Sequence, residues 1–260
     1  MPKPDQGAHG HSITVFRGSP PTNAYVWSPF VTKLEARLRF GGVSYGLGGG
    51  SPPSAPKGKI PYVEIQQGGS KESLGDSGLI IRALVSNGIV RDANAPLTPT
   101  QKTHDLAVRS VMEDRVYFYG TREKWCDNYT VMRSNVLSAV PWPLQVIVGW
   151  LAYRGVASGL HGQGTGRLTD EEVLAFKEEV WESVDALVVE ARQSASGNGP
   201  FWLLGLSEPT EADATLYGFI VGALVCDAAP VTAKIVKGYP TIVEYAERIH
   251  DQYFPDYQKW

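Results

Sequence analysis

Lys59-Ile60-Pro61-Tyr62-Val63-Glu64-Ile65, the turn Gly68-Gly69, and Asp76-Ser77-Gly78-Leu79-Ile80-Ile81 form the stretch whose reading decides the fold. Ile60 to Ile65 alternates with period two, as a half-buried strand does. Gly68-Gly69 turns the chain and Lys71 to Leu74 runs back. Asp76-Ser77 then opens a helix predicted from about Gly78 to Ser86. Upstream, Ile13-Thr14-Val15-Phe16 reads as a strand closed by the turn-rich Arg17 to Pro21. Ser28-Pro29 places a good N-cap before a residue suited to the first helical position. Val31, Leu34, Ala36 and Leu38 continue that helix until Gly41-Gly42, and Val43-Ser44-Tyr45 is predicted as a second strand. Gly46 to Lys59, rich in glycine and proline, is predicted as loop. The order β-α-β-loop-β-β-α describes a compact α/β unit over residues 12–90.

After a proline-containing linker at 91–99, every strong signal is helical. Helices are expected at about 100–128, 131–153, 169–195, 211–227 and 240–251, giving an all-α unit over 100–260. Thr210 to Asp213 is a capping box, and Ile242, Tyr245, Ala246 and Ile249 share one face of the last helix. Residues 1–11 form a polar tail without the apolar core of a signal peptide.

Composition narrows the function. The 260 residues carry a net charge of −3 and no stripe of Lys or Arg, so a nucleic-acid partner is not expected. Cys126 and Cys226 form no CxxC pair, which favours a reducing, cytosolic setting. The most apolar run, Leu144 to Tyr153, is shorter than the about 20 residues a membrane span needs.

Three places carry chemistry. Ser28 sits at a helix head, where it serves either as a plain cap or as a hydrogen-bond partner for a thiolate, which the helix dipole also favours. Val31 stands where a redox CPxC motif has its second cysteine, which excludes disulfide exchange. Ile60-Pro61 is either an edge-strand proline or a cis bond exposing the Ile60 backbone to an extended peptide. Asp76-Ser77 is either an N-cap or a carboxylate site. Gly75-Asp76-Ser77-Gly78 matches a hydrolase nucleophile signature, but no histidine carries a partner motif. Gly58-Lys59 lacks the rest of a phosphate-binding loop, and the histidines lack metal-ligand spacing.

Together, Ser28-Pro29-Phe30 with Lys33-Leu34-Glu35, Lys59 to Glu64, and Asp76 to Ile81 resemble the N-terminal domain of glutathione transferases. His161 to Arg167, Thr210 to Thr215 and Tyr239-Pro240 to Ile249 resemble the helical domain of the branch containing metaxin and failed-axon-connections proteins. The resemblance implies a thioredoxin-like N-terminal domain followed by an all-α C-terminal domain. It implies glutathione as cosubstrate or cofactor, no metal, and Ser28 as the residue that activates the thiol. Tyr25, in the unusually long loop from Gly18 to Trp27, competes for that role. Pro61 would be the cis-proline, Ile60 would bind the cysteinyl part, Asp76 and Ser77 the γ-glutamyl end, and Lys59 the glycyl carboxylate. Trp27, Phe30, Tyr117, Tyr119 and Trp125 would line a pocket for a small apolar electrophile, with Trp142 and Trp150 either lidding it or packing. The implied reaction is conjugation, or addition followed by elimination or isomerisation, of the kind used in detoxification or secondary metabolism. A non-catalytic scaffold or partner-binding role is the alternative, and a homodimer is usual for the superfamily.

Overall fold

The computed structural model describes residues 11–260, so the expected polar tail lies outside the described residues except for His11. The first half holds β1 (His11–Phe16), α1 (Pro29–Phe40), β2 (Gly46–Gly48), β3 (Tyr62–Gln67), β4 (Ser70–Gly75) and α2 (Ser77–Ser86). The sheet order is β2-β1-β3-β4. β1 runs parallel to β2 and antiparallel to β3, with Ile13 opposite Ile65 and Val15 opposite Val63. These four side chains point to one face, where Leu34 and Leu38 of α1 and Ile80, Ile81 and Leu84 of α2 cover them. Alternation in the strands and the apolar stripe of each helix therefore meet in one core.

β2 corrects the expectation of a strand at Val43 to Tyr45. It lies three residues later, within the predicted loop, and the reason is across the sheet. Phe16 and Tyr62 stack with ring centroids 4.4 Å apart. A Cβ on Gly48 would come within 2.7 Å of the Phe16 ring, and one on Gly50 within 2.8 Å of the Tyr62 hydroxyl. Only glycine lets this backbone approach the ring pair.

Beyond residue 98 the chain is helical: α3 (Pro99–Val111), α4 (Tyr117–Arg122), α5 (Tyr129–Val136), α6 (Trp142–Gln163), α7 (Asp170–Ser194), α8 (Glu211–Val225), α9 (Pro230–Lys237) and α10 (Pro240–Tyr253). The expected helix at 100–128 is interrupted by π-helical turns at Met112–Val116 and Glu123–Asp127. The expected helix at 131–153 is two, because the chain breaks after Val136 and restarts at Trp142 behind Pro141. The helix expected to reach residue 227 stops at Val225, and α9, which the sequence did not suggest, follows. Thr210 and Asp213 form the expected capping box, and Asp213 also accepts from the Tyr245 hydroxyl at 2.8 Å.

α8 is the central post, buried from Ala212 through Ala223. It packs against α1, where a Cβ on Gly218 would meet the Pro29 carbonyl oxygen at 2.5 Å. α1 is thus enclosed on both sides, one face on the sheet and the other on the helical core. Three of its charged residues cannot reach water and are paired instead: Glu35 with Arg17 at 2.8 Å, Lys33 with Glu113, and Arg37 with Glu211 at 2.5 Å. Burial pushes the Glu35 carboxyl up to about 7, against the opposing pull of Arg17.

Candidate functional site

The head of α1 is fixed by the Gly218 contact from below and by Pro29 at its first turn. Ser28 occupies the N-cap position with extended backbone, yet its side chain makes no capping bond. Its half-buried hydroxyl therefore stands unused beside the positive end of the helix dipole.

Tyr25 is held elsewhere. Arg17 bonds the carbonyls of Thr22 and Ala24 and folds the long loop back. Ala24 then bridges to Gln258 near the C-terminus. The Tyr25 hydroxyl lies 2.6 Å from that of Tyr217 and 2.7 Å from Nδ1 of His250. Burial drives its phenol well above the usual tyrosine range, the wrong direction for a thiol activator.

The Ile60–Pro61 peptide is cis and immediately precedes β3. Pro61 is buried, Ile60 half-buried and Lys59 exposed. A Cβ on Gly18 would sit 3.1 Å from the Ile60 side chain, so the β1–α1 loop passes directly against this segment. Asp76 caps α2, its carboxylate accepting from the N–H groups of Gly78 at 3.0 Å and Leu79 at 3.1 Å. Its φ of 77° is the one positive value at a non-glycine residue among those described. Ser77 is buried beside it.

The aromatic residues divide. Phe30 meets Tyr117 edge-on at 5.0 Å and Phe219 at 5.7 Å, forming a wall beside the α1 head. Tyr119 does not join it. Two residues along a helix turn the side chain by about 200°, and Tyr119 is buried and stacked on Phe176 of α7. It belongs to the core, not to the pocket. Trp27 is half-buried against Cys226, Ala228 and Ala229, and Trp125 is half-buried in the second π turn.

That π turn also supplies residues that sequence reading passed over. A cavity of about 30 Å³ lies under the α1 head, lined in part by Pro29, Tyr117, Lys124 and Phe219. The Lys124 ammonium donates to the Trp27 carbonyl at 3.3 Å, next to Ser28. Burial lowers its pKa, while Cys226 and Glu123 oppose the shift. Glu123 in turn receives Lys177 and the N–H of Val231 at the start of α9. A Glu-Lys pair inside a helix ordinarily reads as solvated surface, so only the π geometry could have flagged it.

Comparison with known proteins agrees with this geometry. Residues 29–130 match the glutathione S-transferase N-terminal domain family. Mouse (Mus musculus) Metaxin-2 is 24% identical over 209 residues, covering 79% of this chain and 73% of the relative. Maleylacetoacetate isomerase from Anaeromyxobacter dehalogenans, solved with glutathione in its active site, superposes with a TM-score of 0.51 at 16% identity over 96% of this chain and 98% of that one. Glutathione S-transferase III in its apo form gives 0.53 at 15% identity over 94% of each chain. The chain thus has the two-part fold of the glutathione S-transferases, with a first half that matches their N-terminal domain family and a sequence similar to that of a metaxin.

Proposed function

We propose that the chain binds glutathione across the α1 head, the Ile60–Pro61 segment and the start of α2, and activates its thiol for attack on a small apolar electrophile. In this reading residues 12–90 hold the tripeptide, 91–99 link, and 100–260 supply the pocket wall. The observation that carries it is the Ser28 hydroxyl, uncommitted at a helix N-terminus where its usual task is capping. A free thiol, with a pKa of about 8.5, is mostly protonated at neutral pH. A hydroxyl donor together with the helix dipole favours the thiolate by about 1–2 kcal/mol, or roughly one pKa unit. Phe30 and Tyr117 then border the sulfur with apolar surface. Ile60 would bind the cysteinyl backbone, Ser77 the γ-glutamyl end and Lys59 the glycyl carboxylate, in a cytosolic setting and without a metal.

A second reading, a non-catalytic glutathione transferase-like scaffold, is favoured by Asp76. Its own carboxylate already takes the Gly78 and Leu79 N–H groups that an incoming carboxylate would use. Isothermal titration with glutathione, followed by thiolate absorbance against pH, separates the readings. Binding with a lowered thiol pKa that Ser28→Ala restores by roughly one unit supports the enzyme. Absence of binding supports the scaffold.

A further inference from the structure

The first half of α6 is exposed in a way that neither reading of the glutathione site explains. Trp142 is 71% exposed, Leu144 53%, Ile147 58%, Trp150 51% and Leu151 57%. At about 100° per residue, Trp142, Trp150, Ile147, Leu151 and Leu144 follow one another around the axis through roughly 200°. No residue from 128 to 163 belongs to either of the two large core clusters. Gly149 packs α6 onto α5, its Cα too near Arg133 and Tyr129 to carry a Cβ without displacing them, and Leu160 near the end of α6 is buried. The first half of α6 presents an apolar face outside the two large cores.

Its charge pattern indicates what covers it. From Asn128 to Thr169 there is no Asp or Glu, while Arg133, Arg154 and Arg167 fall within the stretch. Asp127 and Asp170 bound it at either end. Arg154 lies over the Trp150 ring at 4.8 Å and Arg133 over the Tyr129 ring at 5.5 Å. Arg167 donates to the His161 carbonyl, and none of the three arginines forms an ion pair among the described residues. An apolar arc of this width exceeds the about 100° stripe one protein face ordinarily covers. A bilayer interface surrounds such a helix, tolerates its tryptophans at headgroup level, and lets arginines extend to phosphates.

We propose that the α5–α6 excursion is a membrane-surface anchor that inserts the Trp142–Leu151 face into the interface of an anionic bilayer. The helix lies in the surface and does not cross it, since no single helix among the described residues is long and apolar enough to span. The Trp142–Leu151 face uses none of the residues that would hold glutathione.

Flotation of the full chain with phosphatidylcholine vesicles, with and without a third of phosphatidylglycerol, tests this. Wild type is expected to float with the anionic vesicles and less with the neutral ones. Ile147→Glu and Trp150→Glu each reduce the bound fraction by about tenfold or more, because a carboxylate must enter the interface. Arg154→Gln lowers anionic binding by about fivefold. Thermal melts confirm that the exposed substitutions leave the fold intact. Wild type that stays unbound, or Ile147→Glu that floats as wild type does, overturns the proposal. So does a dimer in sedimentation that Ile147→Glu dissolves without any vesicle binding by wild type, since the occupant is then a second copy.

Discussion

Gly218→Ala tests whether the α1–α8 contact positions the site. The added methyl would lie 2.5 Å from the Pro29 carbonyl oxygen and 2.8 Å from the Lys33 nitrogen. Both are backbone atoms of a helix closed in on two sides, so neither can swing away as a side-chain tip does. Overpacking of this kind costs about 1–3 kcal/mol, and alanine returns about 0.5–1 kcal/mol through its better helix propensity. With backbone on the receiving side the upper end applies, leaving a net loss of about 2 kcal/mol. For a chain of this size that lowers Tm by about 4–8 °C. Gly222→Ala is the built-in control. Its nearest neighbour is the Pro29 Cβ at 3.4 Å, an ordinary contact, so the helix term prevails and Tm holds or rises by about 2 °C. Paired calorimetric melts provide the assay. A Gly218→Ala protein that melts with wild type, or a Gly222→Ala protein that loses more, refutes the packing argument. Because the clash falls on Pro29, glutathione binding should weaken in Gly218→Ala below its melting range and stay unchanged in Gly222→Ala.

Other expectations follow from the same geometry. Arg17→Leu, which strands the buried Glu35, should cost about 3–5 kcal/mol in urea unfolding, and adding Glu35→Leu should recover most of it. Glu35, raised to about 7 in the fold, binds its proton more tightly folded than unfolded. Its contribution is fully present below the unfolded value near 4.5 and is lost as pH rises through about 7; Glu35→Gln should flatten the stability profile across that window. Tyr25→Phe should cost about 1 kcal/mol in a thermal melt through its bonds to Tyr217 and His250, while leaving the pKa of a bound glutathione thiol unmoved. Asp76→Ala should cost about 1–2 kcal/mol by uncapping α2, and Asp76→Asn less, as read by calorimetry.

What the sequence disclosed depended on whether the physical cause was local. β3, β4 and α2 were legible because alternation, a Gly-Gly turn and a cap act within a few residues. Ser28-Pro29 marked the α1 start for the same reason. β2 falls outside the expected span because Gly48, and Gly50 just beyond the strand, lie against Phe16 and Tyr62, which belong to other strands. The burial of Lys33, Glu35 and Arg37 is invisible in the sequence, since their partners lie on the first π turn, just past β1 and on α8. Tyr25 reads as available because the residues that claim it, Tyr217 and His250, lie 192 and 225 positions downstream. Tyr119 was grouped with Tyr117 by proximity in the chain, although helical rotation sends the two apart. The break after Val136 is hard to read because Leu137, Ala139 and Val140 carry the apolar character across it to Pro141.

α1 has a consequence for how the chain can be divided. Each of its inward charges is neutralised from a different quarter, by Arg17 on the sheet side and by Glu113 and Glu211 on the helical side. A fragment ending near residue 90 would bring Lys33 and Arg37 to a bare apolar surface with nothing to answer them. Protease cutting within residues 91–98 should therefore yield a nicked protein whose pieces stay associated, and expression of the leading fragment alone should yield aggregate.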